Sequence, residues 1–359
     1  MRVLLDGHFL EEAGSGNSRY LSSLMAELVK QTNLSLFVAA KSKSPIKGNT
    51  RLHFLRTYSK SAINRYVLEL PRLAHHNQID IIHTTYFAPI LSKCKNVITI
   101  HDIGPLKKPQ LFSLKLRWLF KILIPFSMQR ATAVIVPSRF SKRELLSLFP
   151  KMSQKISVTY EAPKSIFKPI EKTHVKKLIK RKFDITTPYI LTINSQFAKK
   201  NIKNTVDAFI KAAETIKNII LVVVGKSPNL STEQANFYPI KILGRINDSD
   251  LRLLYCGAEM FIDNSLYEGF SLPILEASAC QIPVIASDIP VHHEIAGNSV
   301  LYADPNKPTS LTLQIKKLLN DRKLRQRMIT RSSAMLKKFS WEKTAKETVA
   351  VYRKVLKQK

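Results

Sequence analysis

The chain has 359 residues, long for one domain and natural for two. It carries 57 Lys and Arg against 26 Asp and Glu, a formal net charge of +31, yet 45% of its residues are hydrophobic, which excludes a disordered polar chain. The excess is spread, with 25 basic and 9 acidic residues up to position 165 and 32 and 17 after it, so a basic tail on a neutral body is excluded too.

Arg2 to Asp6 is a short apolar run fit for a buried parallel strand. With acids so early, the N-terminus does not read as a signal peptide. A loop, Gly14-Ser15-Gly16-Asn17-Ser18-Arg19, follows, and then a helix with Tyr20, Leu21, Leu24, Met25 and Leu28 on its apolar face. Strand, glycine loop and helix open a Rossmann-like unit, here without the third glycine of G-x-G-x-x-G. Leu34 to Ala40 and Arg51 to Leu55 read as strands, and a helix over Ala62 to His75 leads to a buried strand, Ile79 to His83. Val97 to Ile100 is another strand, ending in His101-Asp102. In open α/β sheets, side chains at the carboxyl ends of strands reach the ligand crevice, and both His83 and His101 have that placement. A strand-end histidine is also often a satisfied polar residue, so for His83 both readings stand.

Pro105 to Arg130 contains a basic, aromatic helix with Lys115, Arg117, Trp118, Phe120 and Lys121, and Lys107 and Lys108 stand ahead of it. Such a composition suits docking on an anionic membrane surface through residues 107–121, or a core helix with a solvated basic side. Its most apolar run, Leu119 to Phe126, is too short to span a bilayer. A soluble cytoplasmic protein, peripheral at the inner face of the membrane, is expected. Val134 to Ser138 is a strand and turn, with Ser138 or Ser141 as a cap for the next helix. Pro163, Pro169 and the charged stretch Glu171 to Lys182 mark a linker into the second half.

That half opens on a strand, Tyr189 to Ile193, followed by Asn194 to Asn201 with Lys199 and Lys200 in the loop. Ile219 to Gly225 is a strand, and Ile242-Leu243-Gly244-Arg245-Ile246 a strand with a glycine turn. Asp248-Ser249-Asp250 has the look of a metal-binding D-x-D, but it opens a helix where Asp is expected as a cap, and no metal is expected. Cys94, Cys256 and Cys280 are isolated, with no metal-ligand spacing, which suits a reducing compartment. The most informative stretch is NSLYEGFSLPILEASACQIPVIASD, Asn264 to Asp288. Pro273 fits the first turn of a helix whose free N-terminal amides would favour an anion such as a diphosphate. Two carboxylates, Glu268 before that helix and Glu276 inside it, would repel an anion alone. They make sense for a ligand that adds hydroxyl-rich sugars, because a carboxylate accepts paired hydrogen bonds from vicinal hydroxyls.

Glu268 to Glu276, set in YEGFSLPILEASAC and followed by PVIAS, resembles the E-x7-E element of the family 4 retaining glycosyltransferases. Val97 to Asp102 is similar to their V-x-T-I-H-D pattern. The resemblance implies an α/β protein of the GT-B fold, two Rossmann-like domains facing across a cleft. It implies an acceptor-side domain over 1–165, a nucleotide-sugar domain over 166–340, and a helix over 341–359 crossing back to the first. By the same resemblance Glu276 binds the nucleotide ribose, Glu268 the donor sugar, and the amides of Gly269, Phe270, Ser271 and Leu272 the diphosphate and sugar. Lys200, with Lys199 beside it, holds the diphosphate. His101 stands near the reacting sugar, Gly244 and Arg245 face the base, and Gly16 lies in the loop that faces phosphate and acceptor. Asn194 and Ser195 depart from the family's usual Gly and Arg, which leaves the diphosphate to the two lysines.

The implied activity is retaining transfer of a hexose, with mannose favoured by similarity to O-antigen mannosyltransferases, from a nucleotide-sugar to a saccharide or lipid-linked acceptor in surface polysaccharide synthesis. No cofactor beyond the donor and no nucleic acid is expected. Two rivals stand beside it: a phosphorylase or epimerase of the same fold, and a non-enzymatic basic protein that binds nucleic acid or membranes. The second would explain the charge but not the two-glutamate helix.

Overall fold

Runs of Val, Ile and Leu that must be buried on both faces dictate parallel sheets flanked by helices, and a computed structural model has that architecture. It describes residues 1–12, 15–41, 51–59, 61–226 and 237–358, so Gly14 of the glycine loop lies outside the described residues. The chain divides into two units, Met1–Glu161 with Ser340–Lys359, and Ala162–Phe339.

Among the described residues of the first unit, seven strands form one parallel sheet: β1 (Arg2–Asp6), β2 (Ser35–Ala40), β3 (Leu52–Arg56), β4 (Ile81–Thr85), β5 (Lys95–Thr99), β6 (Ala133–Val136) and β7 (Ile156–Val158). Their order is β3-β2-β1-β4-β5-β6-β7, so the order reverses between β1 and β4 and opens a switch point at their carboxyl ends. Ser15 caps the helix Gly16–Leu28 by accepting from Ser18 N at 3.1 Å. Ser138, rather than Ser141, caps the helix Arg139–Leu148. The basic segment after β5 is broken into a short helix, Gly104–Lys107, a turn at Pro109–Leu111, and the helix Leu114–Arg130. Phe120, Ile124 and Met128 on that last helix face the core. The terminal helix Trp341–Lys357 is capped by Ser340 and packs on the helix Gly16–Leu28 and on β5 and β6.

In the second unit six strands among the described residues run parallel: β8 (Tyr189–Ile193), β9 (Ile220–Val224), β10 (Ile240–Ile242), β11 (Met260–Asp263), β12 (Val284–Ser287) and β13 (Leu301–Ala303). Their order, β10-β9-β8-β11-β12-β13, reverses between β8 and β11. Neighbouring strand residues point to opposite faces. Leu191, Phe261 and Val284 enter one core cluster, and Ile190, Ile262 and Ile285 enter the other. Each such side chain contributes roughly 1.5–3 kcal/mol on burial. The charged stretch expected as linker is instead the helix Lys172–Phe183: Glu171 caps it, and Val175 and Ile179 anchor it in the first of these clusters.

Candidate functional site

The second unit gathers charge at the carboxyl ends of β8 and β11. β11 ends in Asp263, 4% exposed, and the loop after it carries Ser265, Glu268 and Ser271 before the helix Leu272–Ala279. The loop after β8 carries Lys199 and Lys200, and Leu266 N donates to Lys199 O at 2.8 Å, tying the two loops together. Both lysines converge on one carboxylate: Lys199 Nζ lies 3.0 Å from Glu268 Oε2, and Lys200 Nζ lies 2.7 Å from Oε1. Lys200 Nζ is also 3.8 Å from Asp263 Oδ1 and donates to Ser265 Oγ at 3.3 Å.

Burial works against the charge of Glu268, but the two lysines outweigh it and pull its pKa to about 2. Asp263 follows the same logic: burial opposes its charge, while Lys200, His292 and the hydroxyls of Ser265 and Ser271 hold it well below the usual carboxylate range. Burial likewise disfavours the Lys200 cation, yet Asp263 and Glu268 raise its pKa. His292 is fully buried, with Nε2 4.0 Å from Asp263 Oδ2 and Nδ1 3.0 Å from Ser287 O. Burial lowers its pKa despite Asp263.

The sequence reading missed Asp263 and His292. For Asp263 the signal was there, since it ends an apolar strand as His101 nearly does.

Ser271 precedes the helix with φ 81°, a left-handed conformation that costs a non-glycine residue about 1–2 kcal/mol. Its hydroxyl does not cap the helix; it donates to Asp263 Oδ2 at 2.5 Å. The helix start therefore has no cap from its own N-cap side chain, and Pro273 fills the first turn. Phe270 and Leu272 are buried, with Phe270 edge-on to Phe339 at 5.9 Å. Glu276 is 1% exposed, and Tyr255 OH donates to its Oε2 at 3.3 Å. Gly244 sits at φ 58° with open space where a Cβ would stand, so the backbone and not crowding requires glycine there. Arg245 beside it is exposed.

In the first unit Gly16 is the first residue of its helix, with open space around a Cβ and no positive φ, so nothing steric demands glycine there. His83 is 4% exposed and fully engaged: Nδ1 is 2.6 Å from Tyr352 OH and Nε2 is 2.7 Å from Thr99 Oγ1. Burial pushes its pKa down to about 3. His101 Nδ1 lies 2.8 Å from Glu161 Oε1, a partner that no sequence signal announced. Asp248 and Asp250 open the helix Asp248–Gly257, and each pairs with a lysine: Asp248 with Lys164 at 2.9 Å, Asp250 with Lys182. Among the described residues no group of three or more His, Cys, Asp or Glu side chains is placed to hold a metal ion.

A site of this kind can hold a diphosphate on lysines and helix amides while buried carboxylates take hydroxyls. Known proteins resemble the chain in sequence and in fold. Residues 14–162 match the glycosyltransferase family 4 domain, and residues 175–335 match the glycosyl transferases group 1 domain. The O-antigen chain mannosyltransferase B of Escherichia coli is 30% identical over 266 residues, 72% of this chain and 70% of that protein. The O-antigen chain mannosyltransferase RfbU of Salmonella typhimurium is 29% identical, covering 70% of this chain and 69% of the relative. The crystal structure of Anabaena Alr3699/HepE in complex with UDP-glucose superposes with a TM-score of 0.75 over 99% of this chain and 100% of that one, at 15% identity, a likeness of fold.

Proposed function

The chain belongs to the family 4 glycosyltransferases, and from that premise we propose that it moves a hexose, mannose first among the candidates, from a nucleotide-sugar to a saccharide or lipid-linked acceptor in surface polysaccharide synthesis. The observation that carries this reading is the grip of Lys199 and Lys200 on Glu268, immediately ahead of a helix N-terminus without a cap from Ser271. The leaving diphosphate gains negative charge as the anomeric C–O bond breaks, and lysines with amides placed there stabilise it. Glu268 takes hydroxyls of the donor sugar, Glu276 the ribose, and the Gly244-Arg245 turn the base. We assign retention: the acceptor oxygen bonds to the anomeric carbon on the face the diphosphate leaves, and the hydroxyl proton passes to the departing phosphate. No metal is needed in this scheme, because the cations are the lysines. The mannosyl preference draws on the relatives named above. The alternative of a nucleic-acid-binding protein is not favoured.

The test is a thermal-shift screen against GDP-, UDP- and ADP-sugars, followed by product analysis. A ligand bound only by the folded state raises the melting temperature. GDP-mannose should give the largest rise and a product of retained configuration. No rise with any nucleotide-sugar would overturn the reading.

We also propose peripheral docking on an anionic membrane surface through the helix Leu114–Arg130 and the lysines ahead of it. Leu114, Trp118 and Ile122, spaced four apart along one side, are 68%, 60% and 63% exposed. Lys121 Nζ stands 5.1 Å over the Trp118 ring. No Asp or Glu occurs from Ile103 to Arg143, a stretch that holds nine Lys and Arg. Exposed indole and aliphatic groups amid cations suit a headgroup boundary. Among the described residues no helix is long and apolar enough to cross a membrane. Wild-type protein should sediment with vesicles containing phosphatidylglycerol, and a Trp118→Ser, Lys115→Gln, Lys121→Gln variant should stay in the supernatant. Equal sedimentation of both would sink the idea.

A further inference from the structure

Two histidines belong to neighbouring strands of the first sheet, His83 inside β4 and His101 just beyond β5, and they differ in one respect. His83 has a partner on each ring nitrogen. His101 has Glu161 on Nδ1, while its Nε2 is buried with no hydrogen-bond partner. A buried, unpaired ring nitrogen calls for an explanation. We propose that Glu161 is a positioning residue for His101: it fixes the proton on Nδ1 and leaves Nε2 as an acceptor for a hydroxyl of the sugar substrate. The substrate part rests on the glycosyl-transfer reading above.

The fold builds the pair from a distance in sequence. His101 lies just beyond β5 and Glu161 just beyond β7, both at the carboxyl edge of the sheet, with β6 between the two strands. Glu161 is 4% exposed, and a carboxylate can only accept, so the hydrogen at 2.8 Å belongs to Nδ1. The ring is held on its flanks by Tyr20, edge-on at 4.5 Å, and Tyr86 at 5.8 Å. Its backbone is held by Ser141, whose hydroxyl donates to His101 O at 3.3 Å. Tyr20 is itself committed, its OH 2.9 Å from Thr99 Oγ1, and burial pushes its pKa far up. Neither Tyr20 nor the neutral His83 therefore supplies charge to the ring. The carboxylate of Glu161 faces it directly, and Asp102 is its chain neighbour.

The experiment uses the full chain labelled with 15N-histidine. A long-range 1H–15N spectrum at neutral pH should show His101 protonated at Nδ1 and bare at Nε2. Glu161→Gln, whose amide can donate as well as accept, should lose or reverse that preference, and Glu161→Asp should partly restore it. With the donor that the screen identifies, Glu161→Gln should lower kcat by roughly ten- to a hundred-fold with little change in the KM for donor, the signature of a misaligned group rather than a lost binding contact. An Nε2-protonated ring in the wild type, or an unchanged spectrum in Glu161→Gln, overturns the proposal. Were the spectra as expected but no sugar transferred by any form of the enzyme, the glycosyl-transfer reading would fail and the tautomer assignment would stand.

Discussion

Asp6 and Asp263 each end a strand beside a switch point, β1 in one sheet and β11 in the other, and both are buried in ion networks. The first network is closed. Arg65 donates from Nε to Asp6 at 2.8 Å, and its remaining nitrogens reach Ala39 O and Thr57 Oγ1. Tyr66 OH donates to Asp6 Oδ2 at 3.1 Å, and His8 Nδ1 lies 2.9 Å from it. The second network is open, because Asn264 Oδ1 and His292 Nε2 are buried without hydrogen-bond partners, His292 Nε2 standing 4.0 Å from Asp263 Oδ2. Buried charge alone therefore does not mark a site. Unfilled hydrogen-bonding capacity beside buried charge is what a ligand could satisfy.

The sharpest way to break this contrast is to damage one network at a time. Glu268→Gln should leave a folded protein whose transfer rate is lower by about 10²–10³, since it releases both lysines from their geometry. Arg65→Met should do the reverse. It strands the Asp6 carboxylate in the core and should cost about 3–5 kcal/mol in denaturant unfolding, with kcat per folded molecule unchanged. An inactive but fully stable Arg65→Met would mean that the closed network is part of the active site. Next in size is Glu276→Ala, which should weaken donor binding by about 1.5–3 kcal/mol in calorimetry through the loss of a charged acceptor. Unchanged affinity would refute the ribose assignment.

Acid separates the networks less strongly. Asp6 and Glu268 both have folded-state pKa values lowered to about 2, Asp6 by its charge-assisted bonds to His8 and Arg65 against the penalty of burial. A depressed carboxylate stabilises the fold above its unfolded value, near 4, and that stability is lost as pH falls towards the folded value. Unfolding free energy should therefore drop between about pH 4 and 2. Asp6→Asn should flatten that fall by roughly 2 kcal/mol. A fall equally steep in Asp6→Asn and wild type would place the acid sensitivity elsewhere.

Much of this was legible in the residues, and the gaps have physical causes. Strand runs such as Val284 to Ala286 could be read because a parallel strand buried on both faces shows no polar interruption. The Glu268-to-Glu276 helix could be read because Pro273 and the apolar Ile274, Leu275 and Ala277 punctuate it. The pairing of Glu161 with His101 could not, because it comes from β7 lying with only β6 between it and β5, a fact of topology and not of local pattern. The helix Lys172–Phe183 passed for linker because ten of its twelve residues are not fully buried, and only Val175 and Ile179 enter the core. The partner of His83 Nδ1 could not be read either, since Tyr352 lies 269 residues away in sequence.

The smallest effect tests whether the open network shapes the backbone as well as the ligand site. Ser271 holds φ 81° and gives its hydroxyl to Asp263 at 2.5 Å. Ser271→Ala keeps the left-handed strain and removes the donor, leaving a buried carboxylate oxygen one bond short, so it should cost about 1–3 kcal/mol. Ser271→Gly loses the same bond but also relieves about 1–2 kcal/mol of strain, and should lie within about 1 kcal/mol of wild type. Urea unfolding of both variants decides between two accounts. A clear gap between Ala and Gly means that the left-handed turn is strained and that glycine relieves it, while an unchanged stability of Ser271→Ala would make the hydroxyl a passenger. Equal costs mean that the turn holds no strain that glycine can relieve, and their size is then the worth of the bond to Asp263.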